Sequence, residues 1–249
     1  MNILVLTGAG ISAESGIPTF RDADGLWEGH AVEEVATPQG FARNPKLVHE
    51  FYNTRRRCLL SPEIQPNAAH RALADWEREH SARSAGDFLL VTQNIDDLHV
   101  RAGSQNVLPM HGELLKVQCL ESGQVFDWRE DLSLETPHPE FPDEESRRGW
   151  LRPRVVWFGE VPLGLDVIER AAAQADLFVA IGTSGLVYPA AGIVQSTKPT
   201  CHKVEINLGD TPASPAFDEH RRGQASVEVP RLIRELQASG SVPHRRDDA

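Results

Sequence analysis

The chain has 249 residues, 40% hydrophobic and 24% charged, with a net charge of −11: enough for one large domain, or for a main domain carrying a small insertion. The acidic balance argues against general binding to a phosphate backbone, and no run approaches the ~18 consecutive apolar residues of a membrane span, so neither nucleic acid nor membrane is an expected partner. Cys58, Cys119 and Cys201 are too few and scattered for a disulfide framework, and Met1 to Thr7 lacks the basic start of a signal peptide, so a cytoplasmic, monomeric protein is expected.

Ile3-Leu4-Val5-Leu6-Thr7 opens the chain as an apolar run, the pattern of a strand covered on both faces. Ile17 to Gln65 is long, with turn signals at Asp24-Gly25, Gln39-Gly40 and Asn44-Pro45, and a helix fits Pro45 to Leu60. A helix follows over Pro66 to His80, then strands over Phe88 to Thr92 and Asn106 to Met110. Leu114 to Arg152 holds two short strands, Leu115 to Cys119 and Gln124 to Trp128, and a polar, proline-rich stretch from Arg129 to Gly149. Strands over Val155 to Phe158, Leu177 to Ile181 and Val204 to Asn207 alternate with helices over Leu165 to Ala175 and Pro230 to Gln237. This alternation predicts an α/β fold with a doubly wound parallel sheet. The two irregular regions read as insertions, residues 31–59 and 114–152, forming a small domain on a large one made of residues 1–30, 60–113 and 153–238. Residues 239–249 read as a disordered tail.

Thr7-Gly8-Ala9-Gly10-Ile11-Ser12-Ala13 follows the first strand directly. Two glycines there let backbone approach a pyrophosphate, with a helix start behind them; the same residues also suit a plain strand-to-helix turn. A dehydrogenase would place an acid at the end of its second strand ~20 residues on. Here that distance falls in Phe20-Arg21-Asp22-Ala23-Asp24-Gly25, a loop-like segment, which counts against hydride transfer.

The segment from Gly8 through Ala9, Gly10, Ser12, Glu14 and Ser15 to Phe20 and Arg21 resembles the first signature of the sirtuins, the NAD-dependent protein lysine deacylases. Thr92-Gln93-Asn94-Ile95-Asp96 with Leu98-His99 resembles their second. His111-Gly112, Val156-Trp157-Phe158-Gly159-Glu160, Gly182-Thr183-Ser184 and Glu205-Ile206-Asn207 follow in the family's order. The resemblance implies a Rossmann-like large domain and a smaller one, with NAD and an acylated lysine of a protein meeting between them. It implies attack of the acyl amide oxygen on the ribose, loss of nicotinamide, an alkylimidate, and release of free lysine and O-acyl-ADP-ribose.

By the same resemblance, His111 is the general base for a ribose hydroxyl, a task that suits an imidazole titrating near working pH. Asn94 orients the ribose and a water, and Asp96 holds the nicotinamide carboxamide; read alone, Asn-x-Asp is equally a helix N-cap pair. Phe20, Arg21 and Trp27 fall with the cofactor loop, where Phe20 would shield the reacting face from water. Gln93, Ile95, Gly182, Thr183, Ser184, Asn207, Leu208 and Ala225 complete the NAD contacts. Val156 to Val161 and Ser184 to Tyr188 match the segments that hold the substrate peptide as a strand, with Val156, Phe158, Gly159 and Val187 as contacts; as apolar residues, Val156 and Phe158 read equally as core.

Tyr52 and Arg55 are i and i+3 on the candidate helix and share a face, so a phenol and a guanidinium can converge on a carboxylate. This resembles the Tyr-x-x-Arg pair of the class III sirtuins, which prefer succinyl, malonyl or glutaryl groups, and Ala31 resembles the small residue that makes room for them. The charge run Arg55 to Arg57 is otherwise a solvated face. Most sirtuins carry a zinc on two Cys-x-x-Cys pairs. Cys119 alone lies between Cys58 and Cys201, so no metal is expected, and Trp128, Leu132, Phe141 and Trp150 would hold the lobe. His70, His99 and His138 read as structural. Mono-ADP-ribosyl transfer or NAD hydrolysis, and nucleotide sensing without turnover, are the competing readings.

Overall fold

All of Ile3–Thr7 is buried, which is why this segment shows no polar alternation: it lies inside a sheet with cover on both faces. The computed structural model describes residues 1–19, 26–27 and 29–239, with the side chains of residues 26, 27 and 239 left aside. The first half runs β1 (Ile3–Thr7), α1 (Ala9–Ala13), β2 (Leu26–Trp27), β3 (His30–Ala31), α2 (Val32–Val35), α3 (Pro38–Arg43), α4 (Pro45–Leu59), α5 (Ala68–Ala82), β4 (Phe88–Thr92) and α6 (Leu98–Ala102). The second half runs β5 (Val107–Pro109), β6 (Gly112–Cys119), β7 (Val125–Asp127), β8 (Leu151–Val155), α7 (Leu165–Gln174), β9 (Leu177–Ile181), β10 (His202–Asn207), β11 (Glu219–Arg222) and α8 (Ala225–Ser239).

Six parallel strands form one sheet in the order β11-β10-β9-β1-β4-β5. Side chains alternate between its faces. Ile3, Val5, Leu90 and Val179 pack against Leu73 and Trp76 of α5 and Val229 and Leu232 of α8. Leu4, Leu6, Val91 and Phe178 pack against Ile168 and Ala172 of α7 and Ile193 beyond β9. A three-stranded antiparallel sheet, β7-β6-β8, stands apart. Phe51, Tyr52 and Leu59 of α4 pack on Leu114, Val155 and Trp157 beside it. Among the described residues, no helix is long and apolar enough to cross a membrane.

Three readings need correction. Val155 to Phe158 is not a parallel strand: the strand is β8, it pairs antiparallel with β6, and Val156, Trp157 and Phe158 leave it as an irregular strap. The alternation of buried Leu151, Pro153 and Val155 with half-buried Arg152 and Arg154 carries β8, and it was hidden by arginine and proline. The last helix starts at Ala225, with Pro230 inside it rather than at its head. Phe141 is 36% exposed under the Arg147 guanidinium, whereas Leu132 is buried with Val117, Cys119 and Leu151.

The chain leaves β1 for β4 and β5 on one side and returns through β9 to the other, so strand order reverses between β1 and β9. At that reversal the turns after the two strands pack backbone on backbone: Gly10 N–H donates to Gly182 O at 2.9 Å. A Cβ on Gly10 would lie 2.6 Å from Gly182 Cα, and Gly182 itself has φ +61°. Gly182→Ala therefore combines a left-handed backbone with a backbone clash and is expected to cost about 2–5 kcal/mol in urea unfolding. A loss under about 1 kcal/mol would show that the two turns part easily.

Candidate active site

A cleft of about 490 Å³ opens at the carboxyl ends of β1, β4 and β9, where doubly wound sheets bind ligands. Its floor is Gly8, Ala9, Ser12, Gln93, Asn94, Asp96, Gly182 and Thr183; its far wall comes from α4, Leu114, Val155 and the strap after β8. A Cβ on Gly8 would sit 2.8 Å from Gly182 O, so glycine there lets the turn after β1 close on the turn after β9 at the cleft floor. Gln93 Nε2 donates to Thr183 Oγ1 at 3.0 Å and ties two of the three strand ends together.

His111 follows β5 and lines the cleft. Its Nδ1 lies 3.0 Å from Gln93 O. A carbonyl only accepts, so Nδ1 carries the proton and the neutral ring keeps its lone pair on Nε2. Burial lowers the imidazole below its usual 6.5, with the bond to Gln93 pulling partly back, so the ring is a neutral base at neutral pH. Gly112 beside it lets β6 close on β8: a Cβ there would meet Arg154 O at 2.2 Å.

Asn94 Nδ2 donates to Gly8 O and to Ser12 Oγ, both at 3.1 Å, and Ser12 Oγ–H donates to Asp96 Oδ2 at 2.9 Å. Asp96 Oδ1 also accepts from Leu98 N–H at 3.1 Å, an Asx turn one residue ahead of Asp97, the N-cap of α6. Burial at the cleft floor nonetheless pushes Asp96 from 3.8 up to about 6. The folded protein thus binds this proton more tightly than the unfolded chain. Its contribution is stabilising below about pH 4 and is lost as pH rises to about 6. Relative to wild type, Asp96→Asn is expected to gain about 1–3 kcal/mol of unfolding free energy across that window. Denaturation curves compared from pH 4 to 7 check this; a flat difference would mean the carboxylate is fully solvated.

Tyr52 and Arg55 both line the far wall. The Tyr52 ring is fully buried, and its oxygen accepts from Trp157 Nε1–H at 3.0 Å. The Arg55 guanidinium lies 3.2 Å over the Phe51 ring, and its Nη1 donates to Phe51 O at 2.8 Å. The alanine on this wall is Ala36, not Ala31: Ala36 is buried and its carbonyl accepts from Phe158 N–H at 2.9 Å. Val156, Phe158, Gly159 and Val187 line the same cleft, and Phe158 is 47% exposed rather than core. Thr54, Cys58, Trp157 and Glu160 also line it and were assigned no role from sequence, although Thr54 and Cys58 are i−1 and i+3 of Arg55.

Gly10, Glu14, Ser15, Asn207, Leu208 and Ala225 of the glycine-rich and adenosine motifs are not among the residues that line this cleft. Gly10 packs on Gly182. The Glu14 carboxylate accepts from Ser226 N–H at 3.1 Å and holds the start of α8. Ser15 Oγ accepts from Asn67 Nδ2 at 3.0 Å, linking α1 to the cap of α5. Asn207 Nδ2 donates to Thr183 O at 2.7 Å, Leu208 is 78% exposed, and Ala225 is buried against the sheet. Ile95 and Ser184 line the cleft. Phe20, Arg21, the Trp27 side chain and residues 240–249 of the tail lie outside the described residues. Among the described residues, no group of three or more His, Cys, Asp or Glu is placed to hold a metal ion.

Fold and cleft together define a Rossmann-like α/β protein with an acid–base site at the switch point of its sheet. The chain belongs to the Sir2 family, whose model matches residues 8–189. It is 73% identical over 238 residues to an NAD-dependent protein deacylase of Rhodopirellula baltica, covering 96% of this chain and 100% of the relative. It is 57% identical over 234 residues to an NAD-dependent protein deacylase of Salmonella typhimurium, covering 93% of this chain and 82% of the relative. A crystal structure of a Sir2 homologue–NAD complex aligns with a TM-score of 0.80 at 39% identity, over 96% of this chain and 90% of that one. A Sir2 protein bound to a myristoylated histone peptide aligns with a TM-score of 0.71 at 31% identity, over 96% and 92% of the two chains.

Proposed function

We infer that this chain is an NAD-dependent protein deacylase acting on acylated lysines, and that its acyl site is built for groups ending in a carboxylate. One observation carries the reading: a neutral imidazole, His111, lines the same cleft as the Tyr52–Arg55 pair and the Asn94–Ser12–Asp96 chain. The strand-end turns at Gly8 and Gly182, lining the cleft at the switch point of the sheet, fit a dinucleotide, and the relatives and the NAD complex point to the same ligand. When bound, NAD supplies a ribose carbon that parts from nicotinamide and takes up the acyl group. His111 Nε2 is the proton acceptor for a sugar hydroxyl, and Asn94 and Asp96 offer an amide and a carboxyl at the floor. The strap from Val156 and the segment from Ser184 to Tyr188 flank the cleft as edges for an extended peptide. Residues 31–59 and 114–152 are best taken as the small domain, which brings α4 and its Tyr52–Arg55 pair over the large one.

Transfer of ADP-ribose to protein, or hydrolysis of NAD, is not favoured: relatives 56–73% identical carry the deacylase name, and neither reaction needs an acyl-carboxylate clamp. Succinyl- and acetyl-lysine peptides incubated with NAD, followed by mass spectrometry, test the reading. Free lysine, nicotinamide and O-acyl-ADP-ribose are expected, with the faster turnover on succinyl-lysine; NAD left intact with every acyl-lysine would overturn it.

A further inference from the structure

We propose that Trp157 is a specificity-determining residue that acts through Tyr52: its indole N–H fixes the Tyr52 hydroxyl as a donor for an acyl carboxylate, and the Arg152–Glu160 pair holds the indole in place. The inference rests on the acidic-acyl reading above. Trp157 Nε1–H donates to Tyr52 Oη at 3.0 Å in a buried contact. A phenol oxygen that accepts from an indole keeps its own O–H to donate, and a carboxylate is a partner that can take it. Burial pushes the phenol's ionisation far upward, so that proton stays on. A carboxylate can only accept, so it needs a donor here, whereas the methyl end of an acetyl group does not.

The indole is gripped from both sides. The Arg152 guanidinium lies 3.4 Å over its ring, and Phe41 packs at 5.2 Å. Arg152 Nη1 and Nη2 donate to Glu160 Oε1 and Oε2 at 2.6 and 3.0 Å, and Nη2 also donates to Val155 O at 2.7 Å. Glu160 Oε2 in turn accepts from Trp157 N–H at 2.7 Å. One ion pair therefore fixes both the backbone and the ring of Trp157. Such a fork is stiffer than packing alone and defines where the N–H points.

Steady-state kinetics on succinyl- and acetyl-lysine peptides, with NAD saturating, test this in wild type, Trp157→Phe, Tyr52→Phe, the double variant and Arg55→Met. Trp157→Phe keeps an aromatic six-membered ring and deletes the N–H with the five-membered ring that carries it. It is expected to lower the succinyl-over-acetyl ratio of kcat/KM about tenfold, with the loss falling in the succinyl KM. In the Tyr52→Phe background the same change is expected to add nothing. Glu160→Gln, with thermal melts alongside, should shift the succinyl KM in the same direction by about threefold, and it carries the test if Trp157→Phe fails to fold. Equal effects on both peptides, or full additivity with Tyr52→Phe, would reduce Trp157 to packing and overturn the inference alone. Loss of succinyl preference in wild type, or equal losses in Arg55→Met, would sink the acidic-acyl reading and this inference with it.

Discussion

His111→Ala is expected to lower kcat about 10²–10⁴-fold while the protein still folds and still binds NAD. The side chain makes one hydrogen bond, to Gln93 O, and stands at the cleft surface rather than in either face of the large sheet's core. Its removal leaves the glycine floor and the Asn94–Ser12–Asp96 chain untouched. What disappears is the lone pair on Nε2. The pH profile gives an independent check. Burial lowers the imidazole, so the protonated, inactive form accumulates only below the usual 6.5. The acid limb of kcat/KM in wild type is therefore expected below pH 6.5 and should vanish in the residual activity of His111→Ala. A variant with wild-type kcat would remove His111 from the chemistry.

The position of that histidine was legible because its neighbours are simple in physical terms. Strands buried on both faces are written as unbroken apolar runs, so β1, β4 and β9 stand out with the motifs at their carboxyl ends. β11 did not stand out: Glu219-His220-Arg221-Arg222 forms the sheet edge, where half its residues meet solvent and ion pairs replace apolar contacts. The small sheet was harder again. Its strand β8 alternates arginine with leucine, proline and valine, so the apolar run just beyond it drew the strand assignment onto the strap.

The site was legible in parts for a related reason. Side chains that line the cleft floor sit at strand ends, which sequence marks well; residues that hold those side chains come from distant segments, which it does not. Asn67, 52 residues from Ser15, and Ser226, 212 residues from Glu14, hydrogen-bond two residues of the first motif, contacts that no local pattern announces. Ala36 lines the cleft and Ala31 does not, and the segment before α4 is a series of short turns of helix with too little periodicity to tell the two apart. Trp157 was visible in a motif, yet its hydrogen bond crosses 105 residues to Tyr52.

Arg55→Met is expected to cut kcat/KM for a succinyl-lysine peptide about 10–100-fold and to change that for acetyl-lysine by no more than about threefold. The guanidinium is already positioned before substrate arrives, by its stack on Phe51 and its bond to Phe51 O. Little side-chain entropy is then left to lose on binding, and a planar fork can meet a carboxylate with two parallel N–H groups. Methionine keeps an unbranched apolar stem but has no donor and no charge, so the loss reports chiefly on charge and hydrogen bonding. Arg55→Lys should recover only a fraction of the succinyl activity, because an ammonium neither stacks on Phe51 nor forms the paired contact. The wild-type preference should also weaken as salt rises from 50 to 500 mM by less than a surface pair would show, since the carboxylate is drawn into a cleft between Arg55 and buried Tyr52. Equal losses on both peptides would place Arg55 in the structure of α4 alone.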